Sequence, residues 1–187
     1  KLMSLRVLIP SLLLIFTLLI TLIGYAVIRT DLTDDIEQQS LRYMNIELSK
    51  LQSLIEPLLA KGDNRGIKSL QAFKASELDN KGIFIVDQHG IVIASSNQID
   101  QLNPWRTSHV KIDSAIVEET MSTTRSHTHF SNDRQLLDGY INLCVRDLSK
   151  GLRSFSCGFL YYQLDINYRQ HQARAWLVKQ SIYIALG

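Results

Sequence analysis

GIFIVDQHGIVIASSN, residues 82–97, sets two short runs rich in β-branched residues on either side of Asp87-Gln88-His89-Gly90. A four-residue connection that opens on Asp and closes on Gly is turn chemistry, so the stretch reads as a β-hairpin. A hairpin with one wet face alternates apolar and polar residues. This one does not, since Ile83, Phe84, Ile85 and Val86 are all apolar, as are Ile91, Val92, Ile93 and Ala94. Both faces of the hairpin must therefore be covered, and the rest of the chain has to supply the covers.

The chain has 187 residues, 20% of them charged, and a net charge of +2. No basic run or dense Lys/Arg face provides the electrostatic footprint of a nucleic-acid binder. Charge is absent from residues 7–28, VLIPSLLLIFTLLITLIGYAVI. As a helix that run is about 33 Å long, against a bilayer hydrocarbon core of about 30 Å. Lys1 and Arg6 precede it, and Asp31, Asp34, Asp35 and Glu37 follow Arg29, which favours an N-terminus on the inner side. The competing reading is a cleaved signal peptide with Gly24-Tyr25-Ala26 as its small-x-small site, although the apolar run exceeds the usual 7–15 residues. At the other end, ARAWLVKQSIYIALG, residues 173–187, turns apolar. Trp176 and Tyr183 suit a membrane interface and Lys179 can snorkel, so this segment reads as the opening of a second membrane helix. An amphipathic helix packed on the domain is the alternative. The expected division is 1–6 inside, 7–28 spanning, 29–173 as one extracytoplasmic domain, and 174–187 re-entering the membrane.

Leu41, Met44, Leu48, Leu51, Ile55 and Leu58 repeat at spacings of three and four, with charges off the seam. The pattern predicts a helix over about 30–60 that continues the membrane span and stops at Gly62. The seam serves either a partner helix in a homodimer or the domain's own sheet, and Ile46, Leu54 and Leu59 offer a second apolar edge. Residues 64–79 read as a shorter helix with Ile67, Leu70, Phe73 and Leu78 inward. A loop over 97–108 and a helix over 110–122, with Val110, Ala115, Ile116, Val117 and Met121 inward, follow the hairpin. Three more strands are expected at about 125–131, 138–146 and 154–164. The sum is an α+β domain: a long helix on one face of a five-stranded, mostly antiparallel sheet, with the inserted loop and helix on the other. Such a sheet buries the opening hairpin on both sides.

The order of elements, the flanking apolar segments and the phrase GIFIVDQHGIVIASSN together resemble the extracytoplasmic PAS-like sensor domains, the PDC or single-Cache group, of bacterial transmembrane receptors. The resemblance covers roughly residues 30–170. It implies a ligand-sensing homodimer whose sensor lies in the periplasm and whose chain is anchored in the inner membrane. The implied output is a cytoplasmic histidine kinase, a cyclic-di-GMP synthase or phosphodiesterase, or a chemotaxis module. A ligand-independent dimerisation module and a secreted binding protein with a signal peptide are the rival readings.

Cys144 and Cys157 are the only cysteines, and Lys150-Gly151 between them is turn chemistry. A hairpin symmetric about that turn sets the two cysteines opposite each other, within disulfide reach. The same register puts Tyr140, Asn142, Cys144, Cys157, Phe159 and Tyr161 on one face, and Ile141, Leu143, Val145, Leu160, Tyr162 and Leu164 on the other. The first set mixes polar and aromatic groups as ligand sites do. Arg125, His127 and His129 alternate on the preceding strand, and Trp105, Arg106 and His109 lie in the loop that would close over the face. The candidate ligand residues are therefore Trp105, Arg106, Arg125, His127, His129, Tyr140, Asn142 and Tyr161, with Arg106 or Arg125 placed to hold an anion. His127-x-His129 is half of a metal site at most, since two ligands do not make one. No cofactor is expected. No G-x-S-x-G, P-loop or H-E-x-x-H motif occurs, so the sequence supports no catalytic role.

Overall fold

The computed structural model describes residues 5–108, 112–123, 125–146 and 155–186, without the side chains of 5–9, 25–33, 98, 174, 177, 178 and 180–186. The chain divides into two units, residues 1–38 and 39–187.

In the first unit, helix α1 (Leu5–Lys61) begins. Its described side chains from residue 10 to residue 24 are all exposed. They include ten large apolar ones, from Leu12 to Ile23, each 53–66% exposed. Among the described residues no helix is long and apolar enough to cross a membrane. The part of the apolar run whose side chains are described, residues 10–24, is about 22 Å long as a helix.

The second unit is an α+β domain. Helix α2 (Asn64–Ala75) and the hairpin β1 (Asn80–Val86) and β2 (Val92–Ser95) follow α1. Two 3-10 turns, at 98–100 and 105–107, lead to helix α3 (Ser114–Ser122). Strands β3 (His127–Phe130), β4 (Leu136–Arg146) and β5 (Phe155–Asp165) come next, and helix α4 (Ile166–Leu186) ends the chain. The five strands form one antiparallel sheet in the order β2-β1-β5-β4-β3.

Alternation along the strands produces two cores. Ile83, Ile85, Ile141, Leu143, Leu160, Tyr162 and Leu164 pack with Met44, Leu48, Leu51 and Ile55 of α1 and Ile67 of α2. Phe84, Val86, Val92, Tyr140, Phe159 and Tyr161 pack on the opposite face with Val117 of α3 and, at the margin, Trp105, Ile112 and Ile116. The hairpin is thus covered on both sides. Its turn is held by Asp87, whose Oδ1 accepts from the backbone N–H groups of His89 and Ile91, at 2.8 and 2.9 Å.

The heptad seam is spent inside the domain: Met44, Leu48, Leu51 and Ile55 are fully buried, with Leu41 and Leu58 partly buried beside them. A dimer seam made of those residues would have to strip α1 off its own sheet. Gly62 ends α1 at φ +66°, with the Asp63 N–H reaching the Leu58 carbonyl (2.9 Å) and the Gly62 N–H reaching Leu59 (3.0 Å). That pair of bonds is a Schellman motif, and its left-handed position suits glycine.

Several expected placements need correction. On α2, Phe73 is 65% exposed, whereas Gln71 and Lys74 are buried, and Leu78, past the end of the helix, is 77% exposed. The reason is electrostatic: Lys74 Nζ ion-pairs with Glu47 of α1 and with Glu77 (2.7 Å), so a charged side chain takes the inward position. On α3, Ala115 and Met121 are exposed and Thr120 is buried instead, its hydroxyl donating to the Ile116 carbonyl at 2.7 Å. On β3, the strand starts at His127 and leaves Arg125 outside it. Val110 lies outside the described residues, as does the turn between β4 and β5.

β3 pairs only with residues 137–140 of β4. Beyond that point α1 caps the bare strand edge. Gln52 Nε2 donates to the Asn142 carbonyl at 2.9 Å, and the Cys144 N–H donates to Glu56 Oε1 at 3.0 Å. An unpaired edge is a template for foreign strands, and two polar side chains blunt it here.

Candidate functional site

The sheet face opposite α1 is built from rows that run across the strands. Phe84, Tyr161, Tyr140 and His127 stand side by side on β1, β5, β4 and β3, and the neighbouring row is Gly82, Gln163, Asp138 and His129. Ring centroids are 5.9 Å apart for Phe84 and Tyr161, 5.1 Å for Tyr161 and Tyr140, and 5.8 Å for Tyr140 and His129, which stack. Trp105, carried by the loop after β2, sets its ring edge against Phe159 at 5.4 Å. These are the favoured offset and edge-to-face arrangements of aromatic packing.

Asp138 is the polar centre of the second row. Its Oδ1 accepts from the Tyr161 hydroxyl and from Gln163 Nε2, both at 2.8 Å. Gln163 Nε2 also lies 2.8 Å from the Tyr161 oxygen, and His129 Nε2 lies 3.5 Å from Asp138 Oδ2. The Tyr140 hydroxyl and His129 Nδ1 are buried without a hydrogen-bond partner. Burial, with the negative charge of Asp138 adding to it, pushes both the Tyr140 and Tyr161 phenols far above their ordinary range. The cluster therefore offers one carboxylate, two phenols held neutral and an imidazole. That is a set for recognising hydrogen-bonding groups. With a carboxylate at its centre, it favours a hydrogen-bond donor as the guest.

The other expected ligand residues are placed as follows. His127 faces α3, with Nε2 3.2 Å from Thr123 Oγ1 and Nδ1 4.0 Å from Glu119 Oε1. Asn142 is buried and already engaged: its Nδ2 donates to the Thr123 carbonyl at 2.8 Å. Arg106 stands over the outer side of Trp105 and pairs with exposed Glu118 at 3.6 Å. Arg125 is exposed. Neither arginine joins the aromatic rows, so the anion expected from them has no cationic partner there. His109 lies outside the described residues. Among the described residues no group of three or more His, Cys, Asp or Glu side chains is placed to hold a metal.

Asp138 and Gln163 were not singled out by sequence. The signal was present, because the register that sets Cys144 opposite Cys157 also sets Asp138 opposite Gln163. The opposite face holds a groove of about 200 Å³ between the end of α1 and the hairpin, with Leu59, Ile93, Leu143 and Val145 as its apolar floor. Cys144 and Cys157 are joined as a disulfide across β4 and β5, their Cα atoms 4.1 Å apart.

No protein-family model matches the chain, and no curated protein matches it in sequence.

Proposed function

We propose that this chain is the sensory part of a transmembrane receptor: an extracytoplasmic PAS-like domain, of the PDC or single-Cache kind, on a membrane helix formed by residues 7–28. The observation that carries the reading is the first unit of α1. Ten large apolar side chains exposed all around a helix cannot remain in water, since soluble monomers rarely expose contiguous apolar patches beyond a few hundred Å². A helix apolar on every side belongs in a bilayer or a protein core. The two-faced sheet, with α1 on one side and the loop and α3 on the other, supports the PAS-like part of the reading.

In this reading a small ligand engages the Asp138 row, where His129 Nδ1 stands without a hydrogen-bond partner. The receptor is a homodimer that uses the second edge of α1, where Ile46 and Leu54 are exposed, rather than the buried seam. A second reading, a dimerisation module without a ligand, is favoured by the burial of Phe84, Tyr140, Phe159 and Tyr161, which leaves that face filled by the protein itself.

Alkaline carbonate extraction of membranes carrying the full chain tests the anchor, and the chain is expected to stay in the pellet. Release into the supernatant would sink the receptor reading. Thermal-shift screening against small amines and other hydrogen-bond donors separates the two readings. A ligand bound only to the folded state at a hundred times its dissociation constant stabilises by about 2.7 kcal/mol. Asp138→Asn should abolish a shift that arises at this row.

A further inference from the structure

We propose that Arg169, in the first turn of α4, is a mechanical joint that keys the C-terminal helix to the register of α1. Two of its donors, Nε and one terminal nitrogen, converge on Asp79 Oδ2 at 2.8 and 2.6 Å. Its guanidinium lies over the ring of Tyr43 on α1, 4.0 Å from the centroid. Asp79 sits just before β1, and its carbonyl accepts the Asp165 N–H at 2.8 Å, at the junction of β5 and α4. Asp165 in turn caps α4 by accepting from the Tyr168 N–H (3.0 Å), and Lys81 approaches its other oxygen at 3.2 Å. One side chain therefore ties α4 to both the sheet and α1.

Tyr43 does not stand alone. One turn further along α1, Glu47 pairs with buried Lys74 of α2, which also holds Glu77, and Glu77 Oε2 accepts the Tyr162 hydroxyl at 3.2 Å. Burial raises the pKa of the Tyr43 phenol, and the charges of Glu47, Glu77 and Asp79 raise it further against the opposing charge of Lys74.

The distinction between this flank and the seam is physical. Met44, Leu48, Leu51 and Ile55 meet an apolar sheet through contacts without direction, which tolerate small slides. The Glu47–Lys74 pair and the Arg169–Tyr43 stack each hold a specific partner, so a shift of α1 by one residue, about 1.5 Å, pulls on both. Buried charge adds little stability but fixes register, and that is the role assigned here. Displacement of α1 along the sheet is consequently handed to the root of α4 by way of Tyr43 and Arg169. The coupling is a property of the 39–187 unit and stands apart from the receptor reading, whose own test is membrane extraction.

Hydrogen–deuterium exchange of the full chain in detergent micelles, read by mass spectrometry, tests the joint in two variants. Arg169→Lys keeps the charge and loses the planar stack and the paired donors. Tyr43→Leu leaves the Arg169–Asp79 pair intact. In Arg169→Lys, amides of residues 168–173 and 43–48 should exchange about tenfold faster, the equivalent of one charge-assisted hydrogen bond. In Tyr43→Leu the α4 amides should accelerate in the same direction, and β4 and β5 should keep parent rates in both variants. Parent rates for α4 in Tyr43→Leu would overturn the proposal. So would loosening confined to α4 in Arg169→Lys, or a uniform rise across the sheet, which would mark general destabilisation.

Discussion

At the scale of single residues, the most informative side chains are polar ones in apolar places. Lys74 is almost fully buried between Glu47 and Glu77. Burial alone would lower its ammonium pKa, but hydrogen bonds and charge from the two glutamates outweigh that and raise it. Lys74→Met should cost about 3 kcal/mol in denaturant unfolding, because it leaves buried Glu47 only the exposed Lys50, 3.9 Å away. The double change Glu47→Leu with Lys74→Met should recover most of that, since an apolar pair replaces a buried ion pair at little or no loss. A double variant no better than the single would contradict this account. The buried phenols make a second prediction. Tyr140, Tyr161 and Tyr162 all have pKa values raised above the ordinary 10, chiefly by burial. The folded state therefore holds these protons after the unfolded state has released them. Stability is intact below pH 10 and falls above it, by about 1.4 kcal/mol per pH unit for each such phenol. Absorbance titration at 295 nm should show the more accessible tyrosines ionising first and these three only in a cooperative unfolding step. One smooth transition of all seven tyrosines near pH 10 would refute it.

At the scale of elements, strands were easier to read than helix faces. Period-two alternation is short-range and survives tertiary context, so the β4–β5 register followed from one turn and one cysteine pair. Helix faces depend on what lies opposite. Phe73 is apolar, yet the inward face of α2 is claimed by Lys74 because Glu47 awaits it on another helix. The candidate site divides in the same way. Its aromatic members, Tyr140 and Tyr161, were legible from alternation, whereas its charged centre, Asp138, acquires a role only through Tyr161, Gln163 and His129 around it. At Gly139 an added Cβ would come within 2.6 Å of Met44 Sδ and 2.9 Å of Leu48 Cδ1, so α1 sits flush on β4. The disulfide closes a loop across that same pair of strands, with a sequence separation of 13. In the chain-entropy account a loop of that size is worth about 3 kcal/mol. Cys144→Ser with Cys157→Ser should lower unfolding stability by about that amount while leaving the strand pairing detectable by hydrogen exchange. An unchanged midpoint would show that the bond does not form in the folded protein.

At the scale of the whole molecule, α1 contributes to the core of the 39–187 unit from Leu41 onward. A fragment starting at residue 39 should therefore keep its melting temperature in detergent within about 4 °C of the full chain, a difference of about 1 kcal/mol for a domain of this size. A larger loss would mean that residues 1–38 take part in the fold. The sequence by itself determined the α+β class, the two-faced sheet, the hairpin at 82–97, the cysteine register and the stop at Gly62. Each of these rests on local periodicity or on backbone chemistry, which a neighbour far along the chain does not alter. Only the tertiary structure decided that the heptad seam lies on the domain's own sheet, that Lys74 faces inward, that Asp138 gathers two donors and a histidine, and that Arg169 meets Tyr43. Those outcomes join residues up to 126 positions apart, and such pairings of side chains exist only once the sheet has brought them together.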